Sequence, residues 1–301
     1  MILLAPAGSP RAVEAALEAG ADAVYVGLQG WSRGGARGEL GSEQLADAVR
    51  RAAGQGAEIQ VALNTIPKPP ERAALEAEIP RLVALGIRTL IVNDIGILVS
   101  LRRRFPQLSL TASVGCGAQT AADVAFFREI GADAVVLPGT VGPDQAAECT
   151  AAGGITVEVM LHMVEEFVLL GRCGMPSYVH LKPTAMPGAL AAGMRQTGSM
   201  KRGGVGTCFR ICQEPWELTD RHGHREQQFF PSRQLSRLGD VPAYLAAGVG
   251  ALKLQGRSLP PESLRPLVAR YRLALDEAGA GAPVPAWSEL ALPTSWTAVG
   301  R

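Results

Sequence analysis

A chain of 301 residues with 47% hydrophobic and 19% charged content is long enough and apolar enough to bury a large core, either as one big domain or as two small ones. A formal net charge of +1 provides no field that would draw nucleic acid or an anionic membrane surface. The sequence has no apolar run of ~18 residues and no basic N-terminal region of a signal peptide, so the expectation is a cytoplasmic protein without a membrane span, in which five cysteines serve metal binding, catalysis or packing rather than disulfides.

Along the chain, short apolar runs recur at 2–4, 23–26, 58–63, 89–92, 108–112, 134–137, 156–161 and 251–254. Continuous apolar runs of this length suit strands buried on both faces, as in a parallel sheet. Helical patterns fill the intervals at 10–18, 42–53, 72–84, 118–130, 143–152 and 262–277. Ser9-Pro10, Ser42 with Glu43, and Pro143-Asp144 are helix start signals, and Gly20, Gly56, Gly86, Gly131 and Gly153 stand where a left-handed residue ends a helix. Eight such units predict a TIM-like (β/α)8 barrel rather than a doubly wound sheet.

Two regions break the rhythm. The loop over 29–41 holds five glycines, Trp31 and two arginines. The stretch over 162–250 is too long for one strand–helix unit; it carries Cys173, Cys208 and Cys212, a probable strand pair near Trp216 and Gln228, and an expected helix over 233–247 leading to the last strand. The expected organisation is a single barrel domain over 1–279 that includes this insert, followed by an irregular tail over 280–301.

In such a barrel the active site lies at the C-terminal ends of the strands. The polar residues there are Asn64, Asn93, Asp94, Ser113, His162, Gln255 and Arg257, with Cys116 just beyond the fifth strand. Cys173 followed by the Cys208-x-x-x-Cys212 pair has spacing compatible with iron–sulfur or zinc binding, and equally with three structural cysteines. Arg172, Lys201, Arg202, Gly203 and Arg210 flank these thiols; the glycines admit backbone N–H groups and the cations offset thiolate charge. His162 reads as structural or catalytic, and Asn64, Asn93 and Asp94 as substrate contacts or helix caps. Cys149 sits among alanines in a helix and reads as core.

The segments Leu3-Leu4-Ala5-Pro6-Ala7-Gly8-Ser9-Pro10 and Ala19-Gly20-Ala21-Asp22-Ala23-Val24-Tyr25-Val26-Gly27 resemble the start of peptidase family U32, the collagenase-like proteins. Leu63-Asn64-Thr65, Asn93-Asp94, Thr111-Ala112-Ser113, Gly171-Arg172-Cys173, the Cys208–Cys212 segment and Lys253-Leu254-Gln255-Gly256-Arg257 continue the resemblance in order. It implies a TIM-like barrel, complete or incomplete, and either peptidase activity or oxygen-independent hydroxylation at a [4Fe-4S] cluster, with prephenate as a candidate hydroxyl donor. Cys173, Cys208 and Cys212 fall on family cluster positions, and Arg202 on an arginine before the third cysteine. Where many members carry another cysteine this chain has Glu166, so the fourth ligand is Cys116, Glu166 or none from the protein. The short chain and near-neutral charge favour the short hydroxylases of anaerobic ubiquinone biosynthesis, acting on a small aromatic or quinone precursor rather than on nucleic acid. The expected catalytic group is His162, Arg202, Arg257, Asn64 and Asp94, with Arg172 and Gly203 at the cofactor. The alternatives are a metal-dependent peptidase with zinc on the cysteines, and a non-catalytic subunit paired with a paralogous U32 protein.

Overall fold

The structure, a computed structural model, describes residues 1–32, 39–164, 215–229 and 234–284. Eight parallel strands form a ring: β1 (Ile2–Ala7), β2 (Ala23–Leu28), β4 (Glu58–Leu63), β5 (Thr89–Val92), β6 (Ser109–Ala112), β7 (Ala134–Leu137), β8 (Thr156–Val164) and β12 (Ala251–Leu254). β1 closes the ring by pairing with both β2 and β12 (Leu4 with Ala23 and with Lys253), so the barrel is complete. Outside it lie α1 (Pro10–Glu18), α2 (Ser42–Gly54), α3 (Arg72–Ala84), α4 (Ile95–Arg104), α5 (Ala121–Glu129), α6 (Pro143–Ala151), α7 (Val241–Ala246) and α8 (Pro261–Gly279). The expected (β/α)8 architecture holds, and each of the eight expected strand runs is a ring strand. Among the described residues no helix is long and apolar enough to cross a membrane.

Strand alternation divides the core. Leu3, Val24, Val61, Leu90, Val92, Leu110, Val135, Val157 and Leu252 point outward into one large cluster with the helices, including Leu45, Ile79, Leu98 and Tyr271. The intervening residues Leu4, Ala23, Tyr25, Ala62 and Ile91, and on the other side Val136, Met160 and Met163, fill the inside. Each fully buried Leu or Val contributes about 1.5–3 kcal/mol.

Among the described residues three further strands come from the long stretch after β8. β9 (Pro215–Thr219) and β10 (Arg225–Phe229) form an antiparallel hairpin near the expected pair. β11 (Gln234–Ser236) adds antiparallel to β8, matching Ser236 to His162. The expected helix over 233–247 is therefore a correction: its first part is strand, because backbone pairing with β8 outweighs local helix propensity, and the helix proper is only Val241–Ala246. In the loop after β2, the short β3 (Glu39–Leu40) returns to pair with β2.

The N-terminal end of the barrel carries a repeated device that the strand–helix count passes over. Gly20-Ala21-Asp22-Ala23-Val24 recurs as Gly131-Ala132-Asp133-Ala134-Val135. In each copy the glycine takes positive φ (89° and 95°) to end a helix. The aspartate then clasps the preceding strand: Asp22 Oδ2 accepts from Leu3 N at 2.7 Å, and Asp133 Oδ2 from Leu110 N at 2.8 Å. An arginine from the neighbouring helix covers each turn, Arg272 of α8 bonding Asp22 and Arg102 of α4 bonding Asp133 and, at 2.7 Å, the Gly131 carbonyl. A Cβ added at Gly131 would stand 2.6 Å from Arg102 Cγ. Gly131→Ala should therefore cost about 1–3 kcal/mol in chemical denaturation. Gly54→Ala, in α2 with nothing within 4 Å of the new methyl, should be neutral or stabilising by about 0.4–1 kcal/mol.

Candidate active site at the barrel mouth

Two charged residues stand on the inside of the ring, where alternation leaves no contact with solvent. Lys253 Nζ lies 2.9 Å from Glu158 Oε2, with both side chains at least 94% buried. The pair is on adjacent strands, β12 and β8. Burying two charges costs several kcal/mol each and is tolerated only when they are paired with good geometry. Lys253 Nζ also lies 5.0 Å from the centre of the Tyr25 ring, and Arg257 Cζ 5.9 Å from the same centre. The Tyr25 hydroxyl donates to the Leu254 carbonyl at 2.7 Å, which ties β2 to β12 across β1. Burial pushes the Tyr25 phenol up to about 12; Arg257 opposes this and Glu158 adds to it. Tyr25 is thus a protonated, fixed platform under two cations.

Arg257 donates to Ser32 Oγ, in the loop after β2. The start of that loop is held against the barrel: Trp31 N donates to the Leu28 carbonyl at 2.9 Å, and the Thr65 hydroxyl to the Trp31 carbonyl at 3.3 Å. Glu39 Oε2 accepts from Gly30 N at 2.9 Å, and burial raises its carboxyl above the usual range, against the opposing pull of Gly30, Arg257 and Ser32. Arg257 therefore sits within a cradle of Tyr25, Ser32 and Glu39.

The other expected site residues fall in different surroundings. Asp94 is the N-cap of α4, its Oδ1 accepting from Ile97 N at 2.8 Å, so its carboxylate serves the helix. Asn64 is half-buried at the end of β4. Asn93, between Val92 and Asp94, is 2% exposed, and its Nδ2 has no hydrogen-bond partner among the described residues. A buried donor left unsatisfied costs about 1–3 kcal/mol. Cys116 lies in a one-turn 3-10 helix (Val114–Cys116) after β6, ended by left-handed Gly117. Its thiol is buried, 3.4 Å from the Val92 carbonyl and 3.5 Å from the Asn93 carbonyl, within the strand–helix layer. Cys149 is buried in α6, as expected of a core residue.

His162 is turned to the helix side. The register of β8 against β12 slips between Lys253, opposite Met160, and Leu254, opposite His162. A bulge of this kind breaks the alternation and re-aims the side chain. The ring stacks edge-on against Tyr271 of α8 at 5.9 Å, with Tyr271 Oη 3.5 Å from Nδ1. Burial lowers its pKa from 6.5 to about 4, so it is neutral at pH 7.

Arg172, Cys173, Arg202, Gly203, Cys208 and Cys212, with Glu166, lie outside the described residues. Among the described residues no group of three or more His, Cys, Asp or Glu side chains converges to hold a metal. The residues overlooked in the sequence are Tyr25, Glu158 and Lys253. For Glu158 and Lys253 the signal was a charge inside an apolar strand, Val-Glu158-Val and Leu-Lys253-Leu, which a ring can bury only on its inner face.

Two predictions follow from these surroundings. Glu158→Gln or Lys253→Met alone leaves a buried charge unpaired and should cost about 3–5 kcal/mol in denaturant unfolding, whereas the paired replacement Glu158→Leu/Lys253→Met should recover much of it. His162 has a folded pKa below its unfolded one, so the unfolded chain binds the proton more tightly. Stability from this group is full above pH 6.5 and is lost as pH falls towards 4. The loss should be on the order of 3 kcal/mol, and His162→Gln should flatten that part of the stability–pH curve.

The chain matches the model of Peptidase family U32 over residues 8–291. It is 29% identical over 278 residues to a 23S rRNA 5-hydroxycytidine synthase of Escherichia coli, covering 91% of this chain and 39% of that protein. It is 25% identical over 316 residues to the tRNA hydroxylation protein P of Escherichia coli, covering 93% and 69%. It is 23% identical over 291 residues to a collagenase of Porphyromonas gingivalis, covering 91% and 65%. The chain thus spans about two-fifths of the first relative's length and about two-thirds of the other two. A solved U32 peptidase shares the fold at a TM-score of 0.53 and 11% identity, covering 86% of this chain and 95% of that one. With a closed eight-stranded barrel and a family match that runs through nearly all its length, the chain belongs to peptidase family U32.

Proposed function

We propose that this chain is an iron–sulfur protein that hydroxylates an aromatic ring without dioxygen, its substrate a small aromatic or quinone precursor. The observation that carries the reading is coverage. Two relatives named for hydroxylation of RNA align with 91% and 93% of this chain, and the family match includes Cys173, Cys208 and Cys212. Those three thiolates would hold a [4Fe-4S] cluster, with Cys116, Glu166 or no protein group in the fourth position. When bound, the cluster supplies redox chemistry that needs no oxygen. In its present seat the Cys116 thiol hydrogen-bonds two carbonyls, so ligation requires that side chain to turn.

The described residues support the rest of the reading. Arg257, cradled by Ser32 and Tyr25, offers a fixed cation to a carboxylate such as that of prephenate, the hydroxyl donor in this reading. The Tyr25 ring beneath it holds that cation in place. A small substrate is favoured by the net charge of +1, because RNA binding rests on basic surface. A second reading, with an RNA base as substrate, is favoured by the names of the two hydroxylation relatives. The collagenase relative keeps peptidase activity as the alternative to both.

Purified without oxygen, the protein should be brown and carry about four irons and four sulfides per chain, and Cys208→Ser should lose them. Colourless, iron-free protein that cannot be reconstituted would sink the proposal. Zinc in place of iron, with chelator-sensitive cleavage of gelatin, would instead establish the peptidase. The same iron assay on Cys116→Ser decides the fourth ligand: a lost iron equivalent assigns it to Cys116, and unchanged iron excludes it. Arg257→Lys, which keeps the charge but not the fork, should raise the KM for a carboxylate donor by about tenfold with a smaller change in kcat.

A further inference from the structure

At the end of β5, adjacent residues have separate roles. Asp94 caps α4. Asn93 is not needed for that cap, yet it is 2% exposed with an amide nitrogen that no acceptor among the described residues meets. Its position on the ring is fixed by alternation: Leu90 and Val92 point outward into the helix layer and Ile91 inward, which puts the Asn93 side chain on the inner side at the mouth. Its backbone is employed structurally, the carbonyl accepting from the Cys116 thiol. The side chain has no such employment.

The register sets its neighbours. Ile91 pairs with Ala62 of β4 and with Thr111 of β6. Two residues further along, Asn64 and Ser113 therefore flank Asn93 on the same rim. This polar arc spans β4 to β6. Counting around the ring, Asn93 on β5 is four strands from β12, the strand that leads to Arg257, and so faces it across the barrel. One side of the mouth is cationic and the other is a neutral donor.

Buried donors without acceptors are rare, and each has a cause. A leucine, branched at the same carbon, would bring no polar group to satisfy at this position, so folding alone gives no reason for an amide. Functional sites are where such local violations persist. We propose that Asn93 is a ligand-reading residue: its carboxamide N–H donates to an acceptor oxygen of a small anionic ligand whose charged end is drawn to the Arg257 side. The ligand class is a ring carboxylate with a second oxygen, hydroxyl or carbonyl, at its far end. The inference rests on the reading of the mouth as the substrate site. It adds the residue that selects the uncharged end of the ligand.

The test is calorimetric titration of prephenate and of 4-hydroxybenzoate into anaerobically purified wild-type, Asn93→Leu and Asn93→Asp protein, with Tm measured for each protein without ligand. Asn93→Leu should keep or raise the ligand-free Tm, because an unmet donor is removed, and should weaken binding by at least about tenfold. Asn93→Asp, which loses the donors and adds a negative charge, should bind more weakly still. Wild-type affinity in Asn93→Leu overturns the inference. So does a ligand-free Tm lowered by several degrees, which would make the amide a structural bond, and so does a wild type that binds neither probe. Binding is read without turnover, so the two proposals fail separately. A protein without iron that binds a probe through Asn93 keeps this inference and sinks the hydroxylase. An active hydroxylase whose Asn93→Leu variant binds normally does the reverse.

Discussion

The buried ion pair between Lys253 and Glu158 is the constraint around which the mouth of this barrel is arranged. A closed parallel ring has no edges, and its inner face has no water to solvate a charge. Lys253 must therefore find its counter-charge among the inward residues of neighbouring strands, and β8 provides it. The same ammonium lies over Tyr25, whose hydroxyl reaches the backbone of β12. The point at which the ring closes, from β2 through β1 to β12 and β8, is thus held by ladder bonds and by a polar network that ends at Arg257. Structure and site share these residues, so the position of the mouth cation follows from how the barrel closes.

The two ends of the barrel divide the labour. The N-terminal end is given to stability: glycine turns, aspartates that clasp the preceding strand, and arginines laid over both. These contacts repeat at two places around the ring. The C-terminal end carries the bulge in β8, the raised carboxyl of Glu39 and the Asn93 Nδ2, which no acceptor among the described residues meets. In barrels of this kind that end is the one used for binding.

The bulge reassigns His162. Regular alternation would place it inside, beside Met160. The extra residue turns it towards Tyr271, where burial keeps the ring neutral. This surrounding supports a packing role for His162. Asp94 likewise serves the backbone as a cap, which was one of its two readings. Arg257 is held by Ser32 over Tyr25, and Asn93, weighed in the sequence as a substrate contact or a helix cap, has a buried Nδ2 with no partner among the described residues.

By itself the sequence determined the barrel. Eight apolar runs separated by helical patterns, most of the helices stopped by a glycine that takes a left-handed conformation, are local signals, and local signals survive without knowledge of the rest of the chain. It also determined the candidate ligands, since Cys173, Cys208 and Cys212 are recognised by spacing and by family resemblance. Only the tertiary structure decided that the ring closes, that Lys253 meets a glutamate 95 residues away, that His162 faces outward, and that 234–236 is strand rather than helix. Each of these depends on which strand lies beside which and in what register. That is settled by pairing and burial between distant segments, and no short window of residues encodes it.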